Sequence, residues 1–140
     1  MIEVRTSDSF AQIAKGVVLP PLDVIIARAD LVRYAGAADD YVAQHWDQPM
    51  MLAAGFDDVV VHGWLCFAHM CRCVTNWAVP TVATIDSYRI RYLRLLYSGP
   101  VSCGGFVEDV HGDRAELRLW ATNMAGEKVT IADMVLRPAS

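Results

Sequence analysis

Apolar and polar positions divide the chain into two parts with different periods. From Val60 to about Trp77 nearly every residue is apolar, Arg72 is the only Lys, Arg, Asp or Glu, and Pro80 follows as a stop signal. A segment that long predicts a buried helix over about His62–Trp77. Beyond it the period switches to two. In Ala115–Asn123, Leu117, Leu119 and Ala121 alternate with Glu116, Arg118 and Trp120, as in a strand with one buried face. Thr81–Tyr97, Val101–Val110 and Lys128–Leu136 are rich in β-branched and aromatic residues and predict further strands. Ser98-Gly99-Pro100, His111-Gly112-Asp113 and Ala125-Gly126 separate them as breaks and turns. Upstream, Gly16–Pro21 reads as an extended lead-in, and Leu22–Ala27 as a short strand. Ala29–Ala37 reads as a helix with Leu31, Tyr34 and Ala35 on its apolar face. Residues 38–58 are irregular except for a short helix over Asp47–Ala54, with Asp47 as its N-cap. Helices followed by an antiparallel meander make the class α+β. The long helix is too apolar for solvent, so the sheet is expected to curl around it and cover most of its sides.

Composition adds three constraints. The 140 residues suit one domain spanning 1–140. Hydrophobic residues make up 54% and charged residues 20%, and the mean hydropathy is +0.27. That excess predicts an apolar surface covered by a partner subunit, at least a dimer. The net charge of −4 and the absence of a basic tail argue against nucleic acid as a partner. Val59–Val82, holding His62, His69, Arg72 and Asn76, is a poor membrane span. Met1–Phe10 carries Glu3, Arg5 and Asp8 and lacks a signal-peptide centre. A cytoplasmic protein without membrane association is therefore expected, with its four cysteines as free thiols. Cys66, His69 and Cys73 share a helix face, but no fourth ligand has metal-site spacing. They read as core, and no metal is expected.

The candidate chemistry lies in Asp40, His45 and the His62-Gly63 pair. An imidazole takes a proton near neutrality, and a carboxylate close by orients it or handles a second proton. A backbone N–H at a helix N-terminus is a ready oxyanion donor, and glycine lets a carbonyl approach it closely. Asp47 reads as a helix cap rather than a catalyst. His62 also admits a plain reading as a buried polar residue with one hydrogen bond.

The stretch Tyr34-Ala-Gly-Ala-Ala-Asp-Asp40-Tyr-Val-Ala-Gln-His45-Trp-Asp47 resembles the motif Y-A-x-x-S-G-D-x-N-P-I-H-x-D of the MaoC-like, or (R)-specific enoyl-CoA hydratase, family. Ala53-Ala54-Gly55-Phe56 and Val60-Val61-His62-Gly63-Trp64-Leu65 look like its next block, and Arg91-Tyr92-Leu93-Arg94 up to Gly99 is similar to its R-F-x-x-P-V-x-P-G segment. The resemblance spans residues 16 to about 137. It implies a hot-dog fold, a long helix wrapped by a curved antiparallel sheet, in a dimer or a pair of hot-dog halves. It also implies reversible hydration of a trans-2-enoyl thioester, on coenzyme A or an acyl carrier, to the (3R)-3-hydroxyacyl form. Asp40 and His45 would activate the water and deliver the proton. The Gly63 N–H would hold the thioester oxygen, and His62, Trp64 and Val42 would line the substrate site. No cofactor beyond the substrate's own coenzyme A is implied.

Three departures bear on activity. The family's water-holding Asn is Val42 here, its Pro-Ile is Ala43-Gln44, and the Ser-Gly before its Asp is Ala38-Asp39. Losing an amide that binds water costs on the order of 1–3 kcal/mol, roughly ten- to a hundredfold in rate, unless a group such as Gln44 replaces it. Trp64, where the family commonly has Met, would narrow the acyl tunnel. Arg89, Arg91 and Arg94 read either as contacts for coenzyme A phosphates or as a solvated strand face. Two alternatives stand beside the hydratase reading: a non-catalytic or acyl-binding half of a hot-dog heteromer, favoured by Val42, and an acyl-CoA thioesterase on the same fold.

Overall fold

A computed structural model of the chain describes residues 7–140. Glu3 and Arg5, which entered the reading of the start of the chain, lie outside the described residues. The apolar run forms one helix, α3 (Gly63–Trp77), whose buried face carries Cys66, Phe67, Met70, Cys73, Val74 and Trp77. That is the three-four spacing of a helix with a single core-facing stripe. The opposite face, with Trp64, Ala68, Arg72 and Asn76, is exposed. The helix is therefore covered on most sides, with one stripe left open.

The strands are β1 (Leu22–Ile26), β2 (Ala83–Tyr92), β3 (Gly99–His111), β4 (Arg114–Thr122) and β5 (Lys128–Pro138). They pair antiparallel in the order β1-β3-β4-β5-β2. The alternation read in β4 holds: Leu117, Leu119 and Ala121 are buried and join Met70, Val107, Val129 and Met134 in the core. The strand expected over Thr81–Tyr97 ends at Tyr92. There the backbone turns away, with Leu93 N–H and Arg94 N–H both directed at the Val129 carbonyl. Arg94 thus lies beyond the strand and faces Glu127 at 3.9 Å. The lead-in runs along β3 as an extra extended segment, pairing Leu19 with Gly105 and Val17 with Val107.

The segment before α3 positions the chemistry. Helix α1 (Arg28–Ala38) is capped by Asp30, whose carboxylate accepts the Ala27 N–H at 2.8 Å. It ends on Asp39 in the left-handed region, φ 54°. A 3₁₀ turn (Ala43–His45) leads to α2 (Gln48–Ala53). There Asp47 accepts the Met50 N–H at 3.0 Å, the N-cap role read from the sequence. Residues Val59, Val60 and Val61 are buried. They are clamped on both sides, Val60 N–H to the Gln44 carbonyl at 2.9 Å and Val61 N–H to the Leu96 carbonyl at 2.7 Å.

Candidate active site

That clamp brings two distant pieces of sequence together. Val60 pairs with the 3₁₀ turn that holds His45, and two residues later His62 opens α3. The two imidazoles stack, with ring centroids 3.7 Å apart and planes 18° from parallel. His45 is buried, and its Nδ1 lies 2.6 Å from the Val60 carbonyl oxygen. A carbonyl only accepts, so Nδ1 carries the hydrogen and Nε2 presents a lone pair. That Nε2 lies 3.9 Å from Asp40 Oδ2 and 3.3 Å from the Gln44 amide nitrogen. The carboxylate and the imidazole are thus two acceptors at a separation that one water, about 2.8 Å from each, can bridge.

The Asp40 carboxylate is 38% exposed in its side chain, whereas the His45 side chain is only 7% exposed. The buried ring is therefore fixed by its carbonyl partner, and the acid sits at the open side. Two backbone features aim Asp40. Its N–H bonds back to the Ala35 carbonyl at the end of α1, and its own carbonyl accepts from His62 Nε2 at 3.2 Å. His62 is 2% exposed, and its Nδ1 is buried without a hydrogen-bond partner. Burial, more than the nearby His45, pushes the His62 pKa below its usual 6.5 against the opposing pull of the Asp40 carbonyl. His62 is held as a neutral ring under His45.

Asp40, His45 and His62 each offer a ligand atom within 4.8 Å of the others. Two of the four ring nitrogens, His45 Nδ1 and His62 Nε2, are taken up by backbone carbonyls.

Gly63 is the first residue of α3, so its N–H has no acceptor within the helix. It stands next to His62, and the ring of Tyr92 lies over it: a Cβ at position 63 would come within 2.7 Å of Tyr92 Cε1 and Cζ. Val42 N–H contacts Asp40 Oδ1 at a long 3.4 Å while its side chain is exposed. Trp64 belongs to a different cluster, its indole edge-on to Phe67 and Tyr88. Of the residues singled out in the sequence, Asp40, His45, His62 and Gly63 come together, Val42 borders them, and Trp64 packs along the outer flank of α3.

Three residues gain importance from the structure. The Gln44 amide nitrogen reaches His45 Nε2 at 3.3 Å. Tyr34 tilts against His62 at 4.8 Å, and burial followed by the Asp40 charge raises its pKa above 10.0. Tyr92 covers Gly63. Tyr34 opens the motif, and Tyr92 stands where the similar segment has Phe; those were the signals available.

A MaoC like domain is matched over residues 9–137. The chain belongs to this MaoC-like family. Among solved structures it is similar to a chain in the crystal structure of the ChsH1-ChsH2 complex from Mycobacterium tuberculosis. The identity is 26% over 91% of this chain and 98% of that one, and the TM-score is 0.81. It is also similar in fold to R-hydratase PhaJ1 from Pseudomonas aeruginosa, at 18% identity over 94% and 86% of the two chains with a TM-score of 0.85. The (R)-hydratase from A. caviae involved in PHA biosynthesis matches at 15% identity over 90% and 97%, with a TM-score of 0.83. No curated protein sequence matches significantly. The hot-dog arrangement implied by the sequence motif is thus the fold of this family member. No helix among the described residues is long and apolar enough to cross a membrane.

Proposed function

We propose that the chain hydrates trans-2-enoyl thioesters reversibly to (3R)-3-hydroxyacyl thioesters. The observation that carries this reading is the 3.9 Å spacing of Asp40 Oδ2 and His45 Nε2, both acceptors, beside the unpaired N-terminus of α3. A water seated between them donates one hydrogen to each. As its oxygen bonds to the β-carbon, the pair takes one proton, and the π electrons of the double bond move through the α-carbon onto the thioester oxygen. The Gly63 N–H, at the positive end of α3, stabilises that developing enolate. The enolate then takes the proton from the pair at the α-carbon. One water is added, and Asp40 and His45 end as they began.

His45 serves in one tautomer because Val60 holds Nδ1–H. The Gln44 amide nitrogen lies 3.3 Å from Nε2 of the same ring and must turn aside for the water to donate there. A water activated by the same pair but directed at the carbonyl carbon would hydrolyse the thioester instead, and the product tells the two reactions apart.

The site is open. Tyr41 is 61%, and Val42 and Trp46 are each 55%, exposed around it. Apolar side chains at the mouth of a reaction that must exclude bulk water favour closure by a second hot-dog subunit. The likeness to a chain of a two-component complex favours a different chain in that role alongside a second copy.

The experiment is direct. The purified protein, alone and at rising concentration, is offered 2-enoyl-CoA thioesters of different length and bulk. Loss of enoyl absorbance is followed and the hydroxyacyl product resolved by configuration. Release of free thiol with no hydroxyacyl product would replace this reading with the thioesterase one.

A further inference from the structure

The family's hydratase segment carries Phe where this chain has Tyr92, and the added hydroxyl is not placed at random. Tyr92 is the last residue of β2, and its ring crosses from the sheet edge to the first residue of α3. Its Oη lies 3.0 Å from the point where a Cβ of Gly63 would stand. Because a Cβ lies about 2.5 Å from its own backbone nitrogen, Oη is within about 5.5 Å of the Gly63 N–H. Two donors at that separation are close enough to share one acceptor, each reaching it at about 2.8–3.0 Å. Tyr92 as a residue is 51% exposed.

We infer that the Tyr92 hydroxyl is a second hydrogen-bond donor to the thioester oxygen, completing with the Gly63 N–H a two-donor site for the enolate. This rests on the hydration reading above, and it addresses a deficit in that site. A single N–H is a sparse stabiliser for a full developing charge. A phenol at the rim of the anion site adds a second donor there. Burial first, then neighbouring Cys66, Tyr34 and Tyr88, raise the Tyr92 pKa above 10.0. The hydroxyl therefore stays protonated and donates; it keeps its proton throughout and takes no part in the transfer between water and the α-carbon. Gly63 is required for the same reason: any side chain there would displace the ring.

Tyr92→Phe tests this with the ring, and so its packing on Gly63, kept in place. Two readouts are used on the intact protein. The first is kcat on the best 2-enoyl-CoA, expected to fall about a hundredfold, the size of effect seen on deleting one oxyanion donor, with KM little changed. The second is independent of turnover. Acetoacetyl-CoA is titrated into each protein and its enolate absorbance recorded, with affinity measured separately by calorimetry. The wild-type protein should raise the enolate fraction, and the variant should bind acetoacetyl-CoA but lose most of that band. An enolate band in the wild type that Tyr92→Phe abolishes, without any hydration by either protein, would retain the two-donor site and sink the hydratase reading. Hydration with an unchanged kcat and band in Tyr92→Phe would overturn the inference and leave the hydratase reading standing. No enolate band and no hydration in the wild type would overturn both.

Discussion

Asp40→Asn separates the chemistry of the site from its architecture. Asparagine keeps an oxygen for the long contact to Val42 N–H, and it leaves untouched the Asp40 backbone groups that bond to Ala35 and His62. The carboxylate is more than a third exposed and 3.9 Å from His45 Nε2, so its contribution to folding is that of a surface pair, about 0–1 kcal/mol. A melting temperature within a few degrees of wild type follows. The reaction loses far more. A positioned acid or base contributes about 10²–10⁴-fold, roughly 2.7–5.4 kcal/mol of barrier. The new amide also places a donor opposite the His45 lone pair, competing with the water for its seat. A kcat reduced by about 10³-fold or more is therefore expected, with the enoyl absorbance assay as the measure and a circular dichroism melt as the control. His45→Ala should cost about as much, and the double variant little more than either single, since both groups serve one proton transfer. A kcat for Asp40→Asn within tenfold of wild type, in a folded protein, would refute the assignment of the water to this pair.

Three further outcomes follow from individual residues. Burial holds the His62 pKa below 6.5, so the unfolded chain binds this proton first. The corresponding stability is fully present above pH 6.5 and lost as pH falls below it. Denaturant melts between pH 5 and 8 should show that loss, and His62→Gln should flatten it in part, His69 having a pKa lowered by burial and by Arg72 in the same sense; an unchanged slope would count against the neutral ring. Gly63→Ala brings a methyl against the end of the half-exposed Tyr92 ring, which has solvent to move into. Its melting temperature should hold within a few degrees while kcat falls at least tenfold as the phenol is displaced. Asp39→Gly should raise stability by roughly 0.5–1 kcal/mol, because it relieves a left-handed residue and removes a negative charge from the C-terminus of α1; a lower melting temperature would contradict that account.

What the sequence made legible was whatever short-range pattern decides. The apolar run from Val60, the alternation of β4 and the Asp47 cap are each dictated by residues within a turn or two, and each appears at its expected place. The spacing of Asp40 and His45 pointed to the site only through the family motif. The departure at Asp39 is explained by structure: the chain there is left-handed, which glycine adopts freely and aspartate tolerates. Three things were hidden because they depend on contacts far apart in sequence. The histidine stack forms because Val60 pairs with Gln44. Tyr92 meets Gly63 because β2 is placed at a sheet edge beside α3. The exposure of one side of α3 follows from how far five strands extend, which no local period encodes.

That exposed side gives the high mean hydropathy a location. The outer face of the sheet carries ion pairs, Arg118 with Glu108 and Asp133, and Arg137 with Asp86 and Asp113. It is already suited to water. Six of the large exposed apolar residues gather elsewhere, Tyr41, Val42 and Trp46 beside the acid–histidine pair and Trp64, Tyr88 and Tyr92 from α3 to the β2 edge, while others such as Val18, Ile25 and Met124 lie apart from them. The two groups are joined through Gly63, His62 and His45, each in contact with the next. A subunit that covers this surface therefore buries apolar area and closes the mouth of the proposed site at once. Assembly and catalysis would then draw on the same residues, and a substitution there such as Trp46→Glu would weaken both together, whereas a charge change on the outer sheet face would weaken neither.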